Sequence, residues 1–365
     1  MVDLTASHAA IAGELREGWD EVLSQAAFIM GPQVAAFEQA FAAFSGVRHC
    51  VGVANGTDAL ELALRALGVR GEDEVIVPAN TFVASALAVE RAGARVVLVD
   101  CDPRYHLIDV EQVRAHLTPR TRALMPVHLF GQLAPVEPLV ALAREKGLHL
   151  VEDAAQSQGA AFRGKRAGGW GIATGTSFYP GKNLGAYGDA GAVLTDSDDV
   201  AGKLVALRNY GSPVKYHHPE IGFNSRLDTL QAVVLSAKLK RLDAWNAARR
   251  AAAARYDALL APLTMVQRPE TLPGNEHVWH LYVVRVPRRD EVLAALKEAG
   301  VGAGIHYPVP IHLQGAFAHL GHKRGAFPVA EQAASEILSL PMFPDITEAQ
   351  QQYVVDQLRR AVRAG

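Results

Sequence analysis

The chain has 365 residues, 49% apolar and 20% charged, with a formal net charge of −2. That length supports a large core and one small extra domain in a soluble globular protein. Its interspersed charges exclude the electrostatic footprint of a nucleic-acid or membrane-surface binder, and no apolar run approaches a membrane span.

Residues 1–45 read as an irregular arm with two short helices. Val34, Phe37, Phe41 and Phe44 share one helical face there, and Gly46 ends that helix. The stretch HCVGVANGTDALELALRALG, from His49, reads as strand, turn and helix. Leu60, Ala63, Leu64 and Leu67 line one face of the helix. Asn55, Gly56 and Thr57 stand at its N-terminus, where unpaired N–H groups and the helix dipole favour an anion. An ordinary helix cap accounts for the same residues.

EVIVPA, RVVLVD, ALMPVHL and LHLVEDAA follow, short and rich in Val, Leu and Ile. Helical patterns near 82–93, 109–117 and 135–147 separate them. The alternation predicts an α/β fold with a mostly parallel sheet covered on both faces. Functional groups in such sheets gather where strands end. Phe82, after EVIVPANT, is either core or a flat surface for a planar ligand. Asp153 ends an apolar run, where a carboxylate is costly unless paired. It either holds a protonated pyridine nitrogen or caps a helix. Gln156 can then reach a ring oxygen.

TSFYPGKNLGAYGDAG, residues 176–191, holds Lys182 among Gly181, Gly185, Gly188 and Gly191, with Ser177 five residues upstream. A lysine is ordinarily a solvated surface cation. Partly desolvated in a glycine-rich loop, it loses proton affinity and becomes a nucleophilic amine. A Schiff base with an aldehyde cofactor is the expected chemistry. TSFYP and GAVLTD flank the loop as strands, the second antiparallel.

Residues 209–226 form a polar loop, long for a connection within one subunit, that suits a subunit contact or a substrate lid. Lys215 and Arg226 can offer cations to a pyrophosphate. His217 and His218 read as loop residues. An amphipathic helix starts near Asp228, with Leu230, Val233, Val234 and Ala237 on one face. A long Ala/Arg helix follows. The domain boundary is expected there, near 245–250, dividing 1–245, with the N-terminal arm, from 246–365. The second part reads as a small α+β domain: strand 279–286, helix 290–299, strand 301–307, and helices near 328–340 and 347–363. GIHYPVPIHLQ places His306, Tyr307 and His312 in a proline-bent loop that can reach over a cleft. The two cysteines, Cys50 and Cys101, make no disulfide framework, and the 14 histidines make no HExxH or paired Cys/His motif. No metal is expected. The N-terminus lacks a signal-peptide pattern, so the expected compartment is the reducing cytoplasm.

EDAAQSQGA, SFYPGKNLGAYGDAG, RNYG…KY and GFNSRLDTLQAVVL together resemble the DegT/DnrJ nucleotide-sugar aminotransferases. These are pyridoxal-phosphate enzymes of the aspartate-aminotransferase fold type, and the resemblance runs from Phe28 to Leu358. It implies a large cofactor-binding domain with a mostly parallel seven-stranded sheet between helices, plus a small C-terminal domain. It implies that Lys182 forms the Schiff base and later moves the proton, that Asp153 holds the pyridinium nitrogen, and that Gln156 contacts the ring hydroxyl. Gly56, Thr57 and Ser177 would hold the phosphate, and Phe82 would stack on the ring. Asn224 would reach the phosphate of the other subunit in a homodimer with shared sites. Lys215, Tyr216, His306, Tyr307 and His312, with Arg226, would surround the sugar nucleotide. A lysine at 182 argues against the dehydrating branch, which carries histidine. The implied reaction moves an amino group from L-glutamate to C3 of a dTDP-3-keto-6-deoxyhexose. The alternatives are C4 amination of a dTDP- or UDP-4-keto sugar, and a catalytically idle pyridoxal-phosphate-binding regulator. A cysteine desulfurase of the same fold type is disfavoured, because both cysteines are far in sequence from the lysine loop.

Overall fold

Short β-branched runs separated by amphipathic helices can bury both sheet faces only as a layered α/β structure. The computed structural model, which describes residues 3–214 and 216–363, has that architecture. Its strands are β1 (His49–Val53), β2 (Glu74–Pro78), β3 (Arg95–Val99), β4 (Thr121–Leu124), β5 (His149–Asp153), β6 (Ala161–Phe162), β7 (Lys165–Arg166), β8 (Ala173–Ser177), β9 (Gly191–Thr195), β10 (Asn275–Glu276), β11 (Tyr282–Arg285) and β12 (Ile337–Leu340). A seven-stranded sheet runs in the order β1-β9-β8-β5-β4-β2-β3. All its pairings are parallel except those of β9, which is antiparallel to both β1 and β8. The reason is local. The lysine loop joins β8 to β9 without a helix, and a parallel neighbour would need a crossover.

Strand order sets where the chemistry gathers. β5 and β8 are neighbours, with Asp153 opposite Gly175, so Asp153 and Ser177 end up at the same edge of the sheet. The helix Gly56–Ala66 lies over β8. A Cβ at Gly175 would stand 2.6 Å from Leu60 Cδ2, so only glycine permits this close approach. On the other side, the predicted aromatic face packs as expected. Phe37 and Phe41 sit 5.5 and 5.3 Å, ring to ring, from Phe178, edge-on in both cases. Val34 is buried with them, and Phe44 is partly buried at the margin.

Two stretches differ from expectation. The N-terminal region holds three helices, Thr5–Ala9, Ala12–Gln25 and Pro32–Ser45, rather than an irregular arm with two. The middle one is ordered because Leu15 and Val22 pack on Val233, Val234 and Ala237 of the helix Thr229–Leu239. In the C-terminal region the helix starting at Pro328 stops at Glu336, and Ile337–Leu340 becomes β12, antiparallel to β11. Residues 301–307 contribute one bridge, Gly304 to Ser339, instead of a strand. Both errors have one cause: a short apolar run fits strand or buried helix equally, and the available partner strand decides. Around β11 and β12, Tyr256, Tyr282, Leu296, Leu338 and Val355 form a separate apolar cluster.

Phe37 is fully buried. Phe37→Ala is expected to lower the unfolding free energy by about 3–5 kcal/mol, read from urea denaturation. A loss below about 1 kcal/mol would show that the aromatic cluster does not anchor this face of the sheet.

Candidate active site

The site is built from strand ends. Asp153, the last residue of β5, is buried, with Oδ2 accepting from Ser85 Oγ at 2.6 Å and Oδ1 from the Ala155 N–H at 3.1 Å. Ser85 is itself bonded to Thr81 Oγ1 at 2.9 Å. Burial pushes the Asp153 carboxyl above its usual range, while the Ser85 bond, the Ala155 N–H and the charge of Lys182 pull the other way. Backbone bonds hold the strand end on both sides. The His128 N–H donates to Asp153 O, and the Asp153 N–H donates to Pro126 O, both at 2.9 Å; the Ala154 N–H donates to Gly175 O.

Strand alternation turns the preceding residue, Glu152, to the opposite face, where it is wholly buried. Its carboxylate collects His128 Nε2, Thr174 Oγ1 and the Trp170 and Gly171 N–H groups, each at 2.8 Å, and the Gly168 N–H at 3.1 Å. Burial alone would raise its pKa, but the His128 bond and the Gly171 and Gly168 N–H groups outweigh that and hold the carboxyl below its ordinary range. His128 Nδ1 accepts from the Ala134 N–H, so its proton sits on Nε2, facing Glu152.

Lys182 follows a tight turn closed by its own N–H on Tyr179 O at 2.8 Å. Burial lowers its amine to about 8, and the Asp153 carboxylate limits the drop. Next to it, Asn183 Nδ2 donates to Asn246 Oδ1 and to Val278 O, tying the lysine loop to the long helix Leu242–Leu260. Gln158 Nε2 donates to Thr176 Oγ1 and Ser177 O, both at 2.9 Å.

Lys182 and Asp153 line one cleft of about 650 Å³, together with Gly56, Thr57, Phe82 and Ser177. Asn55 caps the helix Gly56–Ala66 by accepting from the Asp58 N–H at 2.8 Å. The Gly56 and Thr57 N–H groups, in the first helical turn, have no helical partner and stand at the cleft. A Cβ at Gly56 would lie 2.5 Å from Ser177 Cβ, so a side chain there would collide with β8. A helix N-terminus, a half-buried lysine and a buried carboxylate thus share one cleft.

The sequence matches the DegT/DnrJ/EryC1/StrS aminotransferase family over residues 10–359. The chain belongs to that family. Among relatives of this aminotransferase, a dTDP-3-amino-3,4,6-trideoxy-alpha-D-glucose transaminase of Streptomyces venezuelae is 46% identical over 98% of this chain and 94% of its own. A pleiotropic regulatory protein of Geobacillus stearothermophilus is also 46% identical, over 100% of this chain and 98% of its own. The crystal structure of S. venezuelae DesV in complex with a ketimine intermediate superposes with a TM-score of 0.96 at 46% identity, covering 98% of this chain and 97% of that one.

In the aminotransferase cleft the predicted residues divide into three groups. Lys182, Asp153, Gly56, Thr57, Ser177, Phe82, Gln156, His306 and Tyr307 all line it. Gln156 Oε1 accepts from the Phe130 N–H at 2.7 Å, and its Nε2 donates to Tyr307 Oη at 2.9 Å. Phe82 is half exposed, its ring 5.1 Å from that of Tyr307. A second group lies away from the cleft in this chain. Asn224 is exposed and bridges Asn209; Arg226 donates to Asn209 Oδ1 over the Tyr210 ring; Tyr216 is 81% exposed. His312 is not brought to the cleft either: it is buried against Phe327, with Nε2 2.9 Å from Glu331 Oε1. Lys215 lies outside the described residues. The sequence reading missed Ser85, Thr81 and His280, which no motif marks, and gave no role to Asn183, although it lies within the lysine-loop motif. It also missed Glu152, for which a signal existed: an acid inside an apolar strand, one residue from Asp153, must find partners on the opposite face.

Two effects set the Lys182 amine, burial and Asp153, and they predict a titration. In the cofactor-free protein, acylation of Lys182 by an amine-directed reagent, followed by peptide mass spectrometry, is expected to be half-maximal near pH 8. Asp153→Asn should move that midpoint to lower pH, because it removes the charge that favours the ammonium form. An upward move would mean that the carboxylate does not act on the amine.

Proposed function

We propose that this chain is a pyridoxal-phosphate-dependent aminotransferase that moves an amino group from L-glutamate to C3 of a dTDP-linked 3-keto-6-deoxyhexose. The observation that carries the reading is the shared cleft of Lys182 and Asp153 beside the helix N-terminus at Gly56. The residues fit the cofactor. The clash a side chain at Gly56 would make, and the free N–H groups of Gly56 and Thr57 beside Ser177, describe a phosphate cradle. Each Asp153 oxygen accepts one bond from the chain and keeps capacity for a ring N–H. Phe82 offers a half-exposed ring to the cofactor's face. Bound there, pyridoxal phosphate supplies an electron sink that makes the carbon next to the amino group acidic.

The chain's own residues supply the rest. Lys182 Nζ, brought to about 8 by burial, can both take and return a proton near neutral pH. It accepts the proton from the α-carbon of the amino donor in one half-reaction and delivers a proton to the sugar carbon in the other. Asp153 would hold the ring nitrogen, and the Glu152–His128 pair behind it keeps the strand end in place. Gln156 and Tyr307 fix each other at the far wall. The name of the Streptomyces relative, a dTDP-3-amino-sugar transaminase, supports a dTDP sugar and the C3 position, and the ketimine in the DesV complex supports amino transfer.

The second reading, a regulator that binds the cofactor without turnover, is favoured by the Geobacillus relative. L-glutamate discriminates: an enzyme converts the visible absorbance of the bound cofactor, and an idle binder leaves it unchanged.

Exposed Phe28, Ile29, Met30, Tyr210 and Ile221, together with Asn224 in the 209–226 loop, support a homodimer in which that loop completes the partner's site. Free, buried Cys50 and Cys101 accord with a cytoplasmic enzyme, and no helix among the described residues is long and apolar enough to cross a membrane.

Lys182→Ala is expected to abolish amination while the parent converts dTDP-3-keto-6-deoxyhexose, with the new amine mapped to C3 by NMR. An amine at C4 only, or amination of a UDP-linked sugar only, would overturn the substrate assignment; turnover by Lys182→Ala at the parent rate would overturn the mechanism. Mixing Lys182→Ala chains with Asn224→Ala chains, each inactive alone, should restore part of the activity. No recovery after proven subunit exchange would refute shared sites.

A further inference from the structure

A directed chain of side-chain amides reaches the cleft from behind the lysine loop. Asn246 Nδ2 donates to Gln158 O at 2.9 Å, which leaves Asn246 Oδ1 to accept from Asn183 Nδ2, also at 2.9 Å. Asn183 Nδ2 has a second acceptor in Val278 O at 3.0 Å. Both amides are therefore fixed in orientation, because reversing either would set carbonyl against carbonyl. Asn183 Oδ1 is left as an acceptor, and it lies 3.2 Å from His280 Nδ1. His280 Nδ1 must then carry the proton. The ring is buried, and that burial, together with the charge of Lys182, holds it far below its ordinary pKa and hence neutral. A neutral imidazole protonated on Nδ1 has one remaining polar function: an acceptor lone pair on Nε2. His280 lines the cleft with Lys182, and its Nε2 makes no bond among the described residues.

The two substrates differ in what they can offer such an atom. L-glutamate brings two carboxylates, which only accept hydrogen bonds, and one amine, which is the reacting group. A hexose brings hydroxyls that donate. We propose that His280 accepts a hydrogen bond at Nε2 from a hydroxyl of the keto sugar, so that it serves the sugar half-reaction and not the glutamate one. This rests on the aminotransferase function above and adds a residue that selects between its substrates. Asn183 is the positioning residue that sets the tautomer.

The test separates the half-reactions in the holoenzyme. Loss of the cofactor's visible absorbance with L-glutamate reads the first, and its return with dTDP-3-keto-6-deoxyhexose reads the second. His280→Phe keeps the ring's bulk and removes the acceptor. It is expected to lower the second-order constant for the sugar about tenfold, the scale of one lost hydrogen bond, and to leave that for L-glutamate within about twofold. His280→Gln can donate its amide N–H to Asn183 and turn its carbonyl to the cleft, so it should recover most of the sugar half-reaction. Equal losses in both half-reactions for His280→Phe, or no recovery by His280→Gln, would refute the proposal. Nitrogen NMR of the cofactor-free protein with labelled histidine supplies a readout independent of turnover. The resonances missing in His280→Phe should show Nδ1 protonated and Nε2 bare, and the reverse pattern would overturn the tautomer and the proposal with it. If the parent shows no glutamate half-reaction, the aminotransferase function fails, and the nitrogen resonances still decide the state of His280.

Discussion

Burying a carboxylate beside a half-buried lysine in one cleft takes water from both, and most of the surrounding structure answers that penalty. Asp153 is pushed toward its neutral form by burial, and Ser85, the Ala155 N–H and Lys182 act against it. Ser85 is in turn held by Thr81. Among the described residues neither Ser85 nor Thr81 bonds to the lysine loop, yet both bear on whether the acid stays charged. Lys182 has less support. Asp153 is the charge that opposes its burial, and the amine still falls to about 8, which suits a group that must gain and lose protons.

The strand that carries Asp153 bears a second buried acid facing the other way. Glu152 gathers five donors from three separate stretches: His128 after β4, the 168–171 turn, and Thr174 on β8. A fully satisfied buried carboxylate is rigid, because each partner would be left unpaired by any shift. Its place at the end of β5 makes the position of Asp153 a property of the sheet and not of a flexible loop. The same logic applies behind the lysine, where the amides of Asn183 and Asn246 bind the loop to the helix Leu242–Leu260. Glycine does the complementary work of letting backbones meet. Gly175 admits Leu60, and Gly56 admits Ser177, so the helix N-terminus reaches the sheet edge.

By itself the sequence determined the layered α/β fold, the antiparallel return after the lysine loop, and the cleft-lining places of Lys182, Asp153, Ser177 and Gly56. Each of these is written in a local pattern: short continuous apolar runs between helical stretches, glycines around one lysine, an acid closing an apolar strand. Tertiary structure alone decided the rest. Ser85 and Asp153 are 68 residues apart and His280 and Asn183 are 97, so no window of sequence holds both partners. Ile337–Leu340 is a strand because β11 offers it a ladder, and Ala12–Gln25 is an ordered helix because Val233 and Val234 cover its apolar side. His312, close in sequence to Tyr307, turns away to Glu331 because the proline-bent chain between them changes direction. Local patterns say what a segment can become; which long-range partner satisfies its buried polar and apolar groups is settled only when the chain closes on itself.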